Sequence, residues 1–123
     1  MSGSPTFENV TSLPGIVLED GLAIVRNNRS LYFLLLSKFR DAISEFRQKI
    51  YRSIDNDDYQ SASNMSHNLK GVAANLGINH LSELAATLDE ECRQQLVDIE
   101  NTFNAVVLEI ELIINGLEWL PET

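Results

Sequence analysis

The stretch Ser61-Ala62-Ser63-Asn64-Met65-Ser66-His67-Asn68-Leu69-Lys70-Gly71-Val72-Ala73-Ala74-Asn75-Leu76-Gly77 spaces its apolar residues three and four apart. At about 100° per residue, Ala62, Met65, Leu69, Val72, Ala73 and Leu76 fall within about 60° of Leu69 and form the inward arc of an amphipathic helix. Gly77 is its stop signal. A glycine accepts the left-handed conformation that closes a helix, and the apolar Ile78 after it suits the accompanying contact. The same spacing recurs on both sides of this stretch, whereas strand-type alternation is hard to find.

Working outward, Asp55-Asn56-Asp57-Asp58 offers side-chain oxygens suited to ending one helix and capping the next, so the helix of the quoted stretch is expected over about Asp58 to Leu76. Before it, a long helix is expected from about Ser30 to Ile54, carried by Tyr32, Leu35, Leu36, Phe39, Ile43, Phe46 and Ile50. A short one precedes that, from about Val17 to Asn27, with Leu18, Leu22 and Val25 inward. After Gly77, Asn79 is expected to cap a helix with the stripe Leu81, Leu84, Ala85, Leu88 and Cys92. The last helix starts near Asp98 and carries Phe103, Val106, Val107, Ile110, Ile113, Ile114 and Leu117. The three prolines, Pro5, Pro14 and Pro121, all lie near the ends, so no proline interrupts the interior. Four long amphipathic helices with short connections predict an all-α fold, an antiparallel four-helix bundle with a short extra N-terminal helix. Residues 1–14 read as a flexible polar lead or an expression remnant, and residues 15–120 as the bundle.

With 123 residues and 44% hydrophobic side chains the chain is one domain with a sizeable core. Its 18 acidic against 9 basic side chains give a net charge of −9. That balance repels phosphate backbones and anionic lipid surfaces, so neither nucleic acid nor a membrane is an expected partner. The single cysteine, Cys92, excludes an intrachain disulfide and reads as a small buried hydrophobe. No apolar run approaches the roughly 20 residues of a membrane-spanning helix. The cytoplasm is the expected compartment.

His67 lies about 160° from the centre of the inward arc and points out of the bundle. Most exposed histidines are ordinary surface residues, but the neighbours of this one are unusual. Ser63 one turn before, Gly71 one turn after and Ala74 two turns after are all small, where exposed helix positions favour long, good helix formers. Gly71 costs about 1 kcal/mol against Ala in a helix interior, a sacrifice that close approach of another body explains. Lys70 at i+3 brings an ammonium to the same space. At neutral pH an imidazole offers a free nitrogen lone pair, which can attack a phosphoryl group, and a cation one turn away stabilises the charged product.

His67-Asn-Leu-Lys70-Gly71-Val-Ala-Ala-Asn-Leu76-Gly77 resembles the His-x-Leu-Lys-Gly…Leu-Gly signature of histidine-containing phosphotransfer (HPt) domains, which pass phosphoryl groups between receiver domains in bacterial phosphorelays. Leu13-Pro14-Gly15-Ile16 with Gly21-Leu22 resembles the lead into HPt domains at the C-termini of hybrid sensor kinases, as does Tyr32 to Phe39. The resemblance covers residues 13–117. It implies a four-helix bundle in which His67 is phosphorylated, Lys70 assists and Gly71 gives the partner access. Ser63, Asn64 and Ala74 are the expected partner contacts. The helix after the signature often carries a glutamate or glutamine in the family where this chain has Asp89. The implied partners are receiver domains of a hybrid kinase and of a response regulator, met by a monomer. No cofactor is expected on this chain, because Mg²⁺ belongs to the receiver. The polar lead fits a module cut from a longer kinase, in which case it is the cytoplasmic part of an inner-membrane sensor.

Other candidates are weaker. His80 lacks this context and reads as a first-turn surface residue. A di-iron site needs Glu-x-x-His, but Asn64 and Gly77 stand at the i−3 positions, and zinc lacks further Cys or His ligands. Asp89-Glu90-Glu91 reads as a solvated acidic face. A histidine-kinase dimerisation domain would follow its histidine with an acidic residue, and Asn68 stands there instead. No glycine-rich nucleotide loop occurs either, so ATP binding is not expected. The rival from another class is a non-catalytic helical adapter that binds a partner through the same face.

Overall fold

The computed structural model describes residues 10–95 and 98–120, so the first nine residues of the expected lead lie outside the described ones. Five helices follow one another: α1 (Leu18–Ile24), α2 (Arg29–Asp55), α3 (Tyr59–Asn75), α4 (Asn79–Gln94) and α5 (Ile99–Leu117). The four long helices pack in sequence, α5 closes back on α2, and α1 lies against α2 and α3. Ser63 and Lys70 on α3 face Asp89 and Ser82 on α4 in reverse order, which makes that pair antiparallel. Arg40 of α2 likewise reaches the far end of α5, donating to the carbonyls of Leu117 (3.0 Å) and Leu120. The Leu117 carbonyl also accepts from Leu120 N–H at 3.1 Å, so the arginine fastens the turn that closes α5. No helix among the described residues is long and apolar enough to cross a membrane.

The helix stops are made as their sequences suggest. Asp58 caps α3 by accepting from Ser61 N at 3.2 Å. Gly77 takes φ +77°, its N–H donates to Ala74 O (3.2 Å), and Ile78 N–H reaches back to Ala73 O at 2.9 Å. This is the Schellman closure, with Ile78 fully buried beside it. Asn79 departs from expectation. Ile78 occupies the cap position without a side-chain bond, and the Asn79 amide instead donates to Asp20 of α1 at 2.8 Å.

The entry to α1 and the first turn of α2 are locked to the end of α3. Val17 N–H donates to Gly77 O (2.7 Å), and the buried Tyr32 hydroxyl donates to Leu76 O at 2.6 Å. Burial, then the nearby Asp20 charge, pushes that phenol up to about 12. Gly21 lies in this joint, where a Cβ would stand 2.5 Å from the Leu76 carbonyl oxygen. Gly21→Ala should therefore cost about 1–3 kcal/mol by overpacking, read as a fall in thermal midpoint.

The core takes in the expected stripes, with Leu18, Val25, Leu35, Phe46, Met65, Leu84, Val107 and Ile114 half-buried at their margins. Phe33, outside the expected stripe of α2, is buried because Trp119 and Tyr32 pack on its ring and the Arg29 guanidinium lies over it at 5.7 Å. On α3 the inward face is turned toward α4. Ser63 and Ser66 are buried with Ala62, Leu69 and Ala73, while Val72, placed in the inward arc by its hydrophobicity, is 40% exposed. The cause is size. Ala62, Ser63, Ser66 and Ala73 face Ser82, Ala85, Asp89 and Cys92, and short side chains on both surfaces let the two helices approach closely.

Candidate functional site

His67 stands in the middle of α3 with 66% of its side chain exposed, as its angle on the helix requires. Asn64 and Asn68 beside it are exposed, as are Lys70, Gly71 and Ala74. Nothing lies within 4 Å of where a Gly71 Cβ would be, so the glycine opens space toward solvent and relieves no internal contact. The Lys70 backbone carbonyl accepts from Ser82 Oγ at 2.9 Å, which ties this turn of α3 to α4.

Ser63 is a correction. Expected on the outer face with Asn64 and Ala74, it is 3% exposed, and its hydroxyl donates to Asp89 Oδ1. A wheel centred on the apolar residues sets Ser63 about 120° from Leu69 and so outward, whereas here the small side chain is what admits α4.

Asp89 is the residue that the acidic-run reading missed. Only Glu90 of that run is exposed; Asp89 is 6% exposed and faces α3. Its Oδ2 lies 3.5 Å from His67 Nδ1. Its Oδ1 accepts from Ser63 and from Arg93 Nε at 3.3 Å, and Arg93 also pairs with Glu90 at 2.6 Å. Within each helix the period sets Ser63 one turn from His67 and Asp89 one turn from Arg93, but only the packing of α3 on α4 brings the two pairs together. A carboxylate beside Nδ1 favours the tautomer with its proton there and leaves Nε2, across the ring, as the basic nitrogen. Gln60, Asn64, His67 and Arg93 line an open groove of about 590 Å³ at this point.

The remaining candidates form no second site. His80 has Glu83 and Glu109 each 4.0 Å from one of its ring nitrogens. Cys92 is buried, and burial, with the Asp89 and Glu91 charges behind it, pushes its thiol up to about 11, away from thiolate chemistry. No group of three or more metal-ligating side chains occurs among the described residues.

Comparison with known proteins bears on the family and the fold. The family model of the Hpt domain matches residues 34–117. The fold is similar to that of histidine-containing phosphotransfer protein B from Pseudomonas aeruginosa, with a TM-score of 0.78 at 18% identity over 87% of this chain and 94% of that one. It is also similar to the HPT domain of an Hpt sensor hybrid histidine kinase from Shewanella, with a TM-score of 0.75 at 16% identity over 85% and 91% of the two chains. A sequence comparison with curated proteins gives no significant match. The family match spans most of the chain and includes the helix that carries His67. The chain belongs to the Hpt domain family, the histidine phosphotransfer modules of phosphorelay signalling.

Proposed function

We propose that His67 is the phosphoacceptor, taking a phosphoryl group from a receiver-domain aspartate and passing it to the aspartate of another receiver. The carrying observation is the pairing of an exposed mid-helix imidazole with a buried carboxylate on its Nδ1 side. The Nε2 lone pair attacks phosphorus, the N–P bond forms as the aspartyl P–O bond breaks, and the aspartate leaves as a carboxylate. The ring keeps its Nδ1 proton and becomes cationic. Asp89 stabilises that cation, and the Lys70 ammonium answers the phosphoryl oxygens. Gly71 and Ala74 leave clearance for the receiver, and Asn64 borders its landing surface.

The metal that such transfer needs resides in the receiver's acidic pocket, since hard cations take clustered oxygen ligands and the one carboxylate beside His67, Asp89, is buried and engaged by Ser63 and Arg93. In this reading the chain is a monomeric phosphocarrier that binds no ATP and works in the cytoplasm, free or attached to a sensor kinase. Incubation with a phosphorylated receiver should place acid-labile, base-stable phosphate on a species that sediments near 13.8 kDa. Receiver binding without phosphate uptake would favour the adapter reading instead.

A further inference from the structure

We propose that Ser63 is a positioning residue for phosphotransfer: its buried hydroxyl holds the Asp89 carboxylate so that Oδ2 is turned to His67 Nδ1. The proposal rests on His67 being the phosphoacceptor and concerns what keeps its ring in the reactive tautomer.

The carboxylate divides its two oxygens between different partners. Oδ1 takes the Ser63 hydroxyl and Arg93 Nε, and Oδ2 faces His67. Ser63 and His67 are successive turns of one helix, so a single side chain from α4 is gripped at two points along α3. Without the Oδ1 partners, partial rotation about the bond to the carboxyl group would swing both equivalent oxygens away from the line to Nδ1. The two holding groups are unequal. Arg93 is 56% exposed and also engages Glu90, so water and a second carboxylate compete for it. Ser63 is 3% exposed and has a short side chain with little freedom to lose.

The hydroxyl is therefore the anchor, and its effect reaches the reacting nitrogen through Asp89. A well-held Oδ2 keeps the proton on Nδ1 and the lone pair on Nε2. A loose carboxylate lets the proton visit Nε2, which removes the nucleophile for that fraction of time.

The test compares wild type with Ser63→Ala and Ser63→Thr. Ring ¹⁵N shifts of His67 in the unphosphorylated chain report the ratio of the two neutral tautomers, which a merely structural residue would not move. Ser63→Ala should lower the Nδ1–H to Nε2–H ratio about three- to tenfold, the fold-change that corresponds to the net worth of one ordinary hydrogen bond, since the effect reaches the ring only through Asp89. Transfer from a phosphorylated receiver should slow in step, with helical content retained. Ser63→Thr restores a hydroxyl and should recover the ratio. Arg93→Ala should shift it less than Ser63→Ala does. An unchanged tautomer ratio in folded Ser63→Ala overturns the proposal, as does a change that Ser63→Thr fails to reverse. A wild-type chain that accepts no phosphoryl group would overturn the phosphotransfer reading, and the tautomer ratio would still decide whether Ser63 sets the ring.

Discussion

His67→Gln should reduce acid-labile phosphate uptake from a phosphorylated receiver to background while the fold stays intact. Two-thirds of the imidazole side chain is exposed, so its loss should move stability by no more than about 0.5 kcal/mol. The other histidine cannot take over. Both ring nitrogens of His80 face carboxylates at 4.0 Å, Glu83 on one side and Glu109 on the other, and these repel the anionic oxygens of an incoming phosphoryl group. His80 also sits nine residues before Asp89 on α4, about 13 Å along the axis and away from the Asp89 carboxylate. Label retained on His67→Gln, or lost from His80→Gln, would show that the phosphoacceptor has been misassigned. Phosphate quantification on the two single variants, with thermal midpoints measured alongside, separates these results.

Gly71 should split stability from transfer. It is a mid-helix glycine whose missing side chain leaves open space, with no neighbour within 4 Å of a Cβ. Gly71→Ala should therefore stabilise the chain by up to about 1 kcal/mol through helix propensity and a less free unfolded state. Gly71→Arg should also fold, because nothing inside the molecule opposes the longer side chain. It stands one turn from His67 at about 40° around the helix, however, between the imidazole and an approaching receiver. In-line transfer tolerates little displacement, and a shift of about 1 Å can cost about 10²-fold. The expected outcome is a raised midpoint for both variants, since Ala and Arg are both far better helix formers than Gly, with near-normal transfer for Gly71→Ala and transfer down about 10²-fold for Gly71→Arg. Full transfer by folded Gly71→Arg would remove the docking role of this surface. Gly21→Ala supplies the contrast, since its clash is internal and its cost should appear in the midpoint.

What the sequence by itself determined is what a single helix can carry. The interval of three and four between apolar residues set the helices and the outward angle of His67. Gly77 and Ile78 set the Schellman closure, because only local backbone geometry is involved. The order His67-Asn-Leu-Lys70-Gly71 marked the family without any long-range information. Only the tertiary structure decided which flank of α3 receives α4. Short side chains on both helices bring them close, and that rotation buries Ser63, exposes Val72 and carries Asp89 to within 3.5 Å of His67 Nδ1. Ser63 and Asp89 are 26 residues apart in the chain, so no local period relates them. Hydrophobicity ranks a serine and an aspartate as outward residues, whereas packing between two helices depends on volume, and a buried carboxylate is tolerated once both its oxygens have partners.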